Sequence, residues 1–569
     1  MIDTTFNTEN QLRIINLYGN KLKGKVPPSL TNCIYLEFLD LGNNELNDTF
    51  PSWLGGLCDL KILSLRSNKL HGPISDSRMD NLFAMSLLQI RVIDLSSNGF
   101  SEDLPMSLFE NFQVMKITGE NSGTQVYVAE ASSGYANNFI VNKKGQDLEL
   151  PQVLTTYMII DLSRDRFEGY LPSIIGDLVG LRTLNLSHNC LEGHIPTSFH
   201  QLSVLESLDL SSNKIGGEIP QQLASLTFLV VLNLSHNHLV GYIPKVKQFD
   251  TFDNSSYKGN DGLCGLPLSK DCGDDDGVPQ ATTPVELDDD EEEEEGDLIN
   301  WQAVLMGFSC GLVIGLSIIY IMLSTHYPVC AAMDCVKLVL FCMLYRFLCE
   351  LSFSSSLPHL CPKHQALALL QFKKMFTFNP DASDYCYNPT MFSWNKTTDC
   401  CSWNGVYCDE VTGQVIELDL SCCGLQGKFH TNSSLFKLSS LKQLDLSSND
   451  FSGSLISPNF GELSSLTHLY LEYSGFIGLI PAEISDLSKL YVLRIRTDDP
   501  YGLRLRPYNF DLLLRNLTQL RELELDFVNI SSTIPLNFSS YLTTLQLSGA
   551  QLRGGIARKS FPPFQLRTP

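Results

Sequence analysis

A leucine pattern that recurs every 24 residues is the feature that most constrains the fold of this chain. Three consecutive segments begin at Leu181, Leu205 and Leu229, and each follows L-x-x-L-x-L-x-x-N-x-L-x-G-x-I-P closely. A 24-residue period is neither the 3.6 of a single helix nor the 7 of a coiled coil. The same frame also begins at Leu12, Leu36, Leu60, Ile90 and Tyr157, and again at Val415, Leu441, Leu466, Leu490 and Leu520, with a fragment near Leu542.

The pattern predicts an α/β solenoid with one short parallel strand in each coil. Side chains alternate along L-x-L, so the leucines point inward and the x residues face solvent. One coil cannot bury its own leucines, whereas stacked coils can. The asparagine after each strand can bond to backbone groups of its own and the neighbouring coil, which predicts a buried amide ladder. Its members are Asn20, Asn44, Asn68, Asn98, Asn189, Asn213, Asn237 and Asn449, and Asp165 replaces asparagine in this frame.

Two interruptions break the repeat frame, and the longer one separates two arrays. A polar stretch over 111–155 breaks the frame and predicts a loop or small subdomain, and a longer break covers 245–414. Long loops on rigid scaffolds often carry function, so the insertion is one candidate for recognition. We expect an array without an N-terminal cap at 1–110, an insertion at 111–156, further coils at 157–244 and a truncated second array at 415–569.

The residues that follow the first array predict a cap, a linker and a membrane helix. Cys264 and Cys272 lie eight residues apart just beyond the last coil, so we expect a disulfide-closed C-terminal cap at 245–273. The acidic linker at 274–297 is too charged to fold. Residues 298–324 contain no Lys, Arg, Asp or Glu and are long enough to span a bilayer.

Three glycines in this membrane segment predict a helix contact. Gly307, Gly311 and Gly315 are four residues apart, which places them on one face of a helix where a partner helix can approach closely. The alternative is that glycine is simply common in membrane helices.

A second hydrophobic segment follows within 325–357. The sequence from Met333 has a short basic start, an apolar centre at 336–351 and a run of serines, as a secretory signal peptide has. It either re-enters the membrane or is cleaved near Ser355–Leu357. We therefore expect a second protein to begin at Met333, so that the chain has the order of the back half of one protein joined to the front half of another.

Residues 358–414 predict an N-terminal cap for the second array. They contain an amphipathic helix candidate, with Ala366, Leu369 and Leu370 in phase, followed by a cysteine-rich segment. We expect the disulfides Cys361–Cys400 and Cys401–Cys408, which imply an oxidising compartment. A zinc site is not favoured, because the region has one His364 and no paired C-x-x-C spacing. Other cysteines are either unassigned (Cys386, Cys422 and Cys423) or expected as buried apolar residues of the coils (Cys33, Cys58 and Cys190).

Charge and motif content exclude several functions. Lys and Arg total 40 against 63 Asp and Glu, and a net charge of −23 argues against nucleic-acid binding. No kinase H-R-D or D-F-G motif and no Gly-rich phosphate loop occurs, and no nucleophile, base and oxyanion donors form a recognisable set. We therefore expect no enzyme activity, no cofactor and no metal.

Glycosylation sequons place both arrays outside the cytoplasm. None lies in 260–394, around the membrane segment, although the repeat consensus itself inflates their number. The sequon asparagines are Asn47, Asn185, Asn233, Asn254, Asn395, Asn432, Asn516, Asn529 and Asn537.

The L-x-G-x-I-P coils, the CCSWNGVYC cap and the acidic run before a Gly-rich apolar segment together resemble plant leucine-rich-repeat receptor-like proteins, and the Cf-type disease-resistance receptors of tomato and its relatives in particular. The resemblance implies a single-pass type I protein of the plasma membrane. It also implies an extracellular peptide or protein ligand and an adaptor receptor kinase, because the family has no kinase domain. The order of segments departs from the family, where the cap comes first and the membrane helix last.

Recognition is expected on the outward x positions of the strands. In the coils nearest the membrane segment these are small, as Thr183, Asn185, Ser207, Asp209, Val231 and Asn233 show, and we interpret those coils as structural. In the second array the candidates are exposed charges and aromatics: His468, Tyr470, Glu472, Arg494, Arg496, Glu522 and Glu524. Two other functions stay open, an inhibitor of microbial cell-wall enzymes and a non-functional conjoined gene product.

Overall fold

A computed structural model describes most of both arrays and their caps. The described residues are 6, 8–74, 87–118, 139–143, 146–150, 153–246, 248–268, 360–382, 386, 390–497, 502–534 and 541–555. They belong to one compact unit formed by residues 1–273 and 360–569. Several predicted features lie outside the described residues: the acidic linker, the membrane segment with Gly307, Gly311 and Gly315, the 336–351 segment, Cys272 and Asn537.

The leucine frame forms strands where the pattern predicts them. Fifteen of them form a single sheet. In chain order they are β1 Ile14–Asn16, β2 Phe38–Asp40, β3 Ile62–Ser64, β4 Val92–Asp94, β5 Ile159–Asp161, β6 Thr183–Asn185, β7 Ser207–Asp209, β8 Val231–Asn233, β9 Val406–Cys408, β10 Val415–Asp419, β11 Gln443–Asp445, β12 His468–Tyr470, β13 Val492–Arg494, β14 Glu522–Glu524 and β15 Thr544–Gln546. All neighbours pair in parallel except β9 and β10, which are antiparallel. The predicted leucine-rich solenoid with parallel strands is confirmed.

The order of strands in this sheet joins the two predicted arrays in one solenoid. The sheet runs from β8 down to β1, then from β15 down to β9. The first coil of the chain therefore stacks on the last coil, and the cap at 360–414 and the cap at 245–268 close the two ends of one solenoid. The physical reason is that a coil without a neighbour leaves its leucines uncovered, and two such coils can bury each other.

The side of the coils away from the main sheet is built from short elements. Short strands there are Lys21–Gly24, Glu45–Leu46, His71–Pro73, Gly99–Asp103, Arg166–Glu168, Glu192–Gly193, Lys214–Glu218, His238–Tyr242, Gly262–Cys264, Leu425–Gln426, Gly478–Leu479, Leu503–Arg504 and Arg553–Gly555, with Thr377–Phe378 in the cap. Short 3-10 helices are Pro28–Asn32, Ser52–Gly56, Leu87–Gln89, Gln113–Lys116, Ser173–Asp177, Thr197–Gln201, Gln221–Ser225, Phe249–Thr251, Asn254–Ser256, Pro380–Ala382, Thr390–Ser393, Cys400–Ser402, Ser434–Lys437, Pro458–Glu462 and Ala482–Asp486.

Three α-helices and one hairpin complete the described elements. The helices are α1 Met106–Asn111, α2 Lys363–Lys373 and α3 Pro507–Asn516. Within the predicted insertion, Phe139–Lys143 and Gln146–Leu150 pair as an antiparallel hairpin. In the described part of the chain, none of the helices has the length and apolar character of a membrane span.

The asparagine ladder lies where the sequence predicts it. Asn213 is typical: its Nδ2 donates to the carbonyl oxygens of Leu186 (3.0 Å) and Leu210 (3.1 Å), and its Oδ1 accepts from the Leu191 amide at 3.0 Å. Each amide thus joins two coils and satisfies backbone groups in the leucine core. The frame glycine before I-P has positive φ in these coils, +79° at Gly193 and +73° at Gly217, a conformation that glycine adopts without strain.

The substitution of the ladder residue by Asp165 changes its chemistry. Asp165 Oδ1 accepts from the Phe100 amide at 3.0 Å, as an asparagine would. Its other oxygen, Oδ2, is buried without a hydrogen-bond partner. Burial raises the pKa of this carboxyl to about 8, because the ionised form lacks compensation in the core.

The N-terminal cap is stapled by three disulfides. Cys361 pairs with Cys400 and Cys401 with Cys408, as predicted, with Cα–Cα distances of 5.6 and 5.5 Å. The unassigned Cys386 and Cys422 form a third bridge. Helix α2 buries Gln365, and the Val415 amide donates to its Oε1 at 2.9 Å, which ties the cap to the first coil.

The C-terminal cap extends the ladder by one residue. Asn260 Nδ2 donates to the Leu234 carbonyl at 2.9 Å, and its Oδ1 accepts from the Leu239 amide at 3.0 Å. Cys264 is disulfide-bonded in this cap. The expectation that the coil cysteines are all buried is wrong for Cys58, which is exposed, whereas Cys33 is fully buried and Cys190 half-buried. Cys58 follows the 3-10 helix of its coil, at the solvent side of the turn.

Candidate ligand-binding face

The outward side chains of the main sheet form two continuous rows. Parallel pairing without a register shift aligns the first residue of each strand from β11 to β15 and from β1 to β8, and it aligns the third residues in the same way. Neighbouring strands are about 4.8 Å apart, so side chains of adjacent coils can contact directly. The face is therefore one surface to which both arrays contribute.

Three segments of this face differ in chemistry. The charged segment comprises the outward residues of β12 to β14 and the residues that follow them: His468, Tyr470, Glu472, Arg494, Arg496, Glu522, Glu524 and Asp526. The apolar segment comprises Ile14, Phe38, Ile62, Val92 and Ile159. The small-polar segment comprises Thr183, Asn185, Ser207, Asp209, Val231 and Asn233.

Two arginines organise the charged segment. Arg494 Nη2 lies 3.2 Å from Glu522 Oε2, and its guanidinium lies 5.4 Å from the Tyr470 ring centroid. Arg496 Nη1 lies 3.4 Å from Asp526 Oδ2, and its guanidinium lies 5.0 Å from the Tyr473 ring centroid. Both arginines are thus held between an acid of the next coil and an aromatic ring of the preceding one.

Burial raises the pKa values of the acids in this cluster, which favours their neutral forms. It raises the pKa of Glu522 to about 7, although Arg494 is adjacent, and it raises the pKa of Asp526 to about 6 against the opposing charge of Arg496. The pKa of Glu524 is raised well above its ordinary value by burial and by the charge of Glu472. Burial lowers the pKa of His468, and the charge of Arg494 lowers it further.

The seven predicted binding residues lie together on adjacent strands, but their predicted exposure is wrong for most of them. Arg496 and Glu524 are 3% exposed, and Tyr470, Arg494 and Glu522 are also buried. Opposite charges on neighbouring strands pair with each other, so they cover their own surface. His468 and Glu472 are half-buried.

The burial of Gln546 and of the apolar segment around Phe38 was not predicted from the sequence. Gln546 on β15 is fully buried, and neither its amide oxygen nor its amide nitrogen has a hydrogen-bond partner. Phe38 and its apolar neighbours were expected to face solvent, yet they are buried and cluster with Val153 and Tyr157. The alternation of x positions could have identified Gln546, but its burial depends on both arrays.

The small-polar segment is held by short side-chain bonds within the sheet. Asn185 Nδ2 donates to Asp161 Oδ2 at 3.0 Å, and Asn233 Nδ2 donates to Asp209 Oδ2 at 3.1 Å. Both asparagines are sequon residues, and their amide nitrogens are engaged here. The described sequon residues Asn47, Asn254, Asn395, Asn432 and Asn516 are exposed instead, and Asn529 is half-buried.

The cap brings together one group of potential metal ligands, Cys361, Asp399, Cys400 and Cys401. The three sulfurs are bonded in disulfides, so they offer no thiolate to an ion. Asp399 instead accepts from the Cys361 amide at 3.0 Å and from the Cys401 amide at 3.3 Å. The group is a structural part of the cap.

Family models match both parts of the chain. The leucine rich repeat N-terminal domain matches 362–409, and leucine rich repeat models match 156–215 and 181–239, then 11–33, 35–57 and 440–463. The matched cap and coils agree with the described elements.

Curated relatives are plant receptor-like proteins. The chain is 64% identical over 239 residues to receptor-like protein Cf-9 of Solanum pimpinellifolium. This match covers 40% of the chain and 27% of the relative. It is 48% identical over 316 residues to receptor-like protein 18 of Arabidopsis thaliana, which covers 56% of this chain and 37% of the relative. The chain thus spans about a third or less of the length of these two relatives.

Among solved structures, the chain is similar to the Arabidopsis receptor kinase HAESA, crystallised in complex with the peptide hormone IDA and the co-receptor SERK1. The TM-score is 0.32 at 30% identity, and the match covers 44% of this chain and 34% of that chain.

Proposed function

Because the chain belongs to the plant leucine-rich-repeat receptor-like proteins of the Cf type, we propose that it is a membrane-anchored cell-surface receptor of innate immunity. It binds an extracellular, pathogen-derived peptide or protein on the outward face of its solenoid and signals through a partner receptor kinase. The observation that carries this proposal is the charged segment, where charged and aromatic side chains of three neighbouring coils form one cluster.

The half-buried residues of the charged segment, His468 and Glu472, are the first contact for a ligand. His468 Nδ1 lies 2.8 Å from Thr467 Oγ1. The His468 ring stacks on the Tyr470 ring with centroids 6.3 Å apart, and it meets the Tyr491 ring edge-to-face, also at 6.3 Å. An aromatic platform next to a fixed guanidinium suits a peptide that has both an acidic and an apolar side chain.

The ligand proposal is tested with apoplastic fluid from infected leaves as the probe. Leaf cells that express the full chain should give an oxidative burst with this fluid. His468→Ala should reduce the response at least about fivefold, since it removes the imidazole ring that makes the first contact with the ligand. The matched control is Thr183→Ala, which occupies the same row on β6 and should respond like wild type. Equal responses of the two variants at equal surface level would contradict the proposed site.

The partner kinase is proposed to contact the predicted membrane helix at its three glycines. Replacing Gly307, Gly311 and Gly315 by leucine should abolish co-precipitation with the receptor kinase, because the bulkier side chains keep the helices apart. Ser309→Leu, on another side of the predicted helix, is the control and should leave the complex intact. Recovery of the kinase with the triple variant would exclude this contact.

The single sheet constrains the proposed location. Both arrays contribute strands to one sheet, so both must lie on the same side of any membrane. If 298–324 crosses the bilayer, we propose that 336–351 crosses back or is removed by cleavage. Asn254 in one cap and Asn395 in the other are exposed. Asn254→Gln and Asn395→Gln should each remove one glycan, and a glycan at only one of them would place the caps on opposite sides.

A further inference from the structure

The first and last coils of the chain meet in a complete coil-to-coil interface. Strand β1 pairs with β15 in the register Ile14↔Thr544, Ile15↔Leu545 and Asn16↔Gln546. On the opposite side of the coil, Lys21–Gly24 pairs with Arg553–Gly555. We define the residues 12–24 and 542–555 as the junction.

The junction has the hydrogen bonds of an interface between consecutive coils. The amides of Leu547 and Gly549 donate to the carbonyls of Asn16 (2.9 Å) and Tyr18 (2.8 Å). Between consecutive coils of the first array, the amides of Leu17 and Gly19 donate in the same way to Asp40 (2.8 Å) and Gly42 (3.0 Å). In its backbone hydrogen bonds, the coil that begins at residue 542 therefore takes the place of a coil directly before the one that begins at residue 12.

Asn20 fastens the junction through the ladder. Its Nδ2 donates to the Leu547 carbonyl at 2.8 Å, and its Oδ1 accepts from the Leu552 amide at 2.9 Å. Ser548 Oγ donates to Asn16 Oδ1 at 2.8 Å. The leucines on both sides, Leu12, Leu17, Leu545 and Leu547, are at most 1% exposed. Such burial is the main driving force for association.

We propose that the junction is a self-standing association surface that holds the two halves of this chain together without a covalent link. Its occupant is the Leu12 coil of the same chain, docked on the Leu542 coil. The halves are residues 1–273 and 360–569. The bridges Cys361–Cys400, Cys386–Cys422 and Cys401–Cys408 each join two cysteines of the second half, so none of these three links the halves. A cut between the arrays therefore leaves one capped solenoid made of two polypeptides.

The length of the connecting chain favours docking within one molecule. About 90 residues separate the described parts of the two caps, and at ~3.3 Å per residue they reach ~300 Å. A sheet of fifteen strands spaced ~4.8 Å apart extends ~70 Å. The connection is thus long enough for the chain to close on itself, and a high effective concentration favours the intramolecular contact over a second copy.

The test cuts the full-length chain between its halves. A site-specific protease sequence replaces residues 288–295 of the acidic run, the chain has different tags at its two ends, and it is purified in mild detergent. After complete cleavage and capture through the C-terminal tag, the N-terminal half should stay bound and be released only by denaturant. Its appearance in the unbound fraction in the absence of denaturant would overturn the proposal.

Matched variants distinguish a loss of binding at the junction from a general loss of folding stability. Asn20→Ala leaves the Leu552 amide and the Leu547 carbonyl unsatisfied and should speed release of the N-terminal half about tenfold or more. Asn213→Ala makes the same change at an interface within the first half and should leave release unchanged. Ser548→Ala, which removes one junction bond on the other half, should speed release by about threefold to tenfold. Equal release rates of the two asparagine variants would contradict the proposal.

A second copy is tested in the uncut protein. Two full-length chains with different tags are produced together, and one tag is captured. The other chain should be absent from the captured material, and its stoichiometric recovery, lost with Asn20→Ala, would assign the junction to neighbouring copies instead. None of these measurements depends on a ligand or on signalling, so they stand apart from the proposed receptor function.

Discussion

The charged segment and the small-polar segment have the same backbone geometry and differ in what holds their side chains. In the charged segment, Arg494 and Arg496 are buried between acids and aromatic rings of adjacent coils. In the small-polar segment, the side-chain amide of Asn185 bonds to Asp161, and the ion pair Arg182–Glu206 at its edge is about one-third exposed. One scaffold therefore carries both an energetically sensitive surface and a tolerant one.

The largest expected effect is the loss of an arginine from the charged segment. Arg496→Ala leaves Asp526, which is 0% exposed, with an uncompensated buried carboxylate. The free energy of unfolding should fall by about 3–5 kcal/mol, measured by urea denaturation. Arg182→Ala removes an exposed pair and should cost at most about 1 kcal/mol. Equal losses in the two variants would remove the distinction between the segments.

A gain in stability is expected at Asp165, the aspartate in the asparagine ladder. Asp165→Asn replaces the buried Oδ2, which has no hydrogen-bond partner, by an amide nitrogen that can donate to backbone carbonyls as Asn213 does. It should raise the free energy of unfolding at pH 7 by roughly 1–3 kcal/mol. Because the folded-state pKa of Asp165 is about 8 and its ordinary value is 3.8, its contribution to stability is present at low pH and is lost as pH rises through this range. The variant should flatten the pH dependence of the urea midpoint.

The charged segment should also make stability depend on pH through Glu522. Burial raises its pKa to about 7 from 4.5, so its folded form binds a proton that the unfolded form releases. Stability therefore decreases as pH rises from about 4.5 to 7, and Glu522→Gln should reduce this decrease by about 1–3 kcal/mol. Glu206→Gln in the other segment is the control, and urea midpoints at pH 5 and pH 7.5 provide the comparison.

The smallest effect is expected from the small-polar segment itself. Thr183 is half-buried on β6, and Thr183→Ala removes few contacts. Its free energy of unfolding should change by less than about 0.5 kcal/mol. A loss of more than about 2 kcal/mol in the same urea experiment would show that this segment is not tolerant.

The repeat predicted much of the molecule at the level of single coils. It placed the strands and the ladder asparagines, and the cysteine-rich cap segment predicted the disulfides Cys361–Cys400 and Cys401–Cys408. The alternation of L-x-L also identified outward positions such as His468 and Arg494 without knowledge of the fold. It missed their burial and the unpaired amide of Gln546, since both depend on which coil lies next to which.

The structure of a single coil follows from the amino-acid sequence: a leucine at each inward position requires a neighbour on both sides, and an asparagine after the strand can satisfy the turns of two coils. The order of the coils is visible in the folded chain alone. The leucine frame is nearly the same in every repeat, so it does not specify which ends meet, and the pairing of β1 with β15 joins residues more than 500 positions apart in the chain. The reason is that an uncovered coil end is costly, and two open ends on one chain with a long connection bury each other.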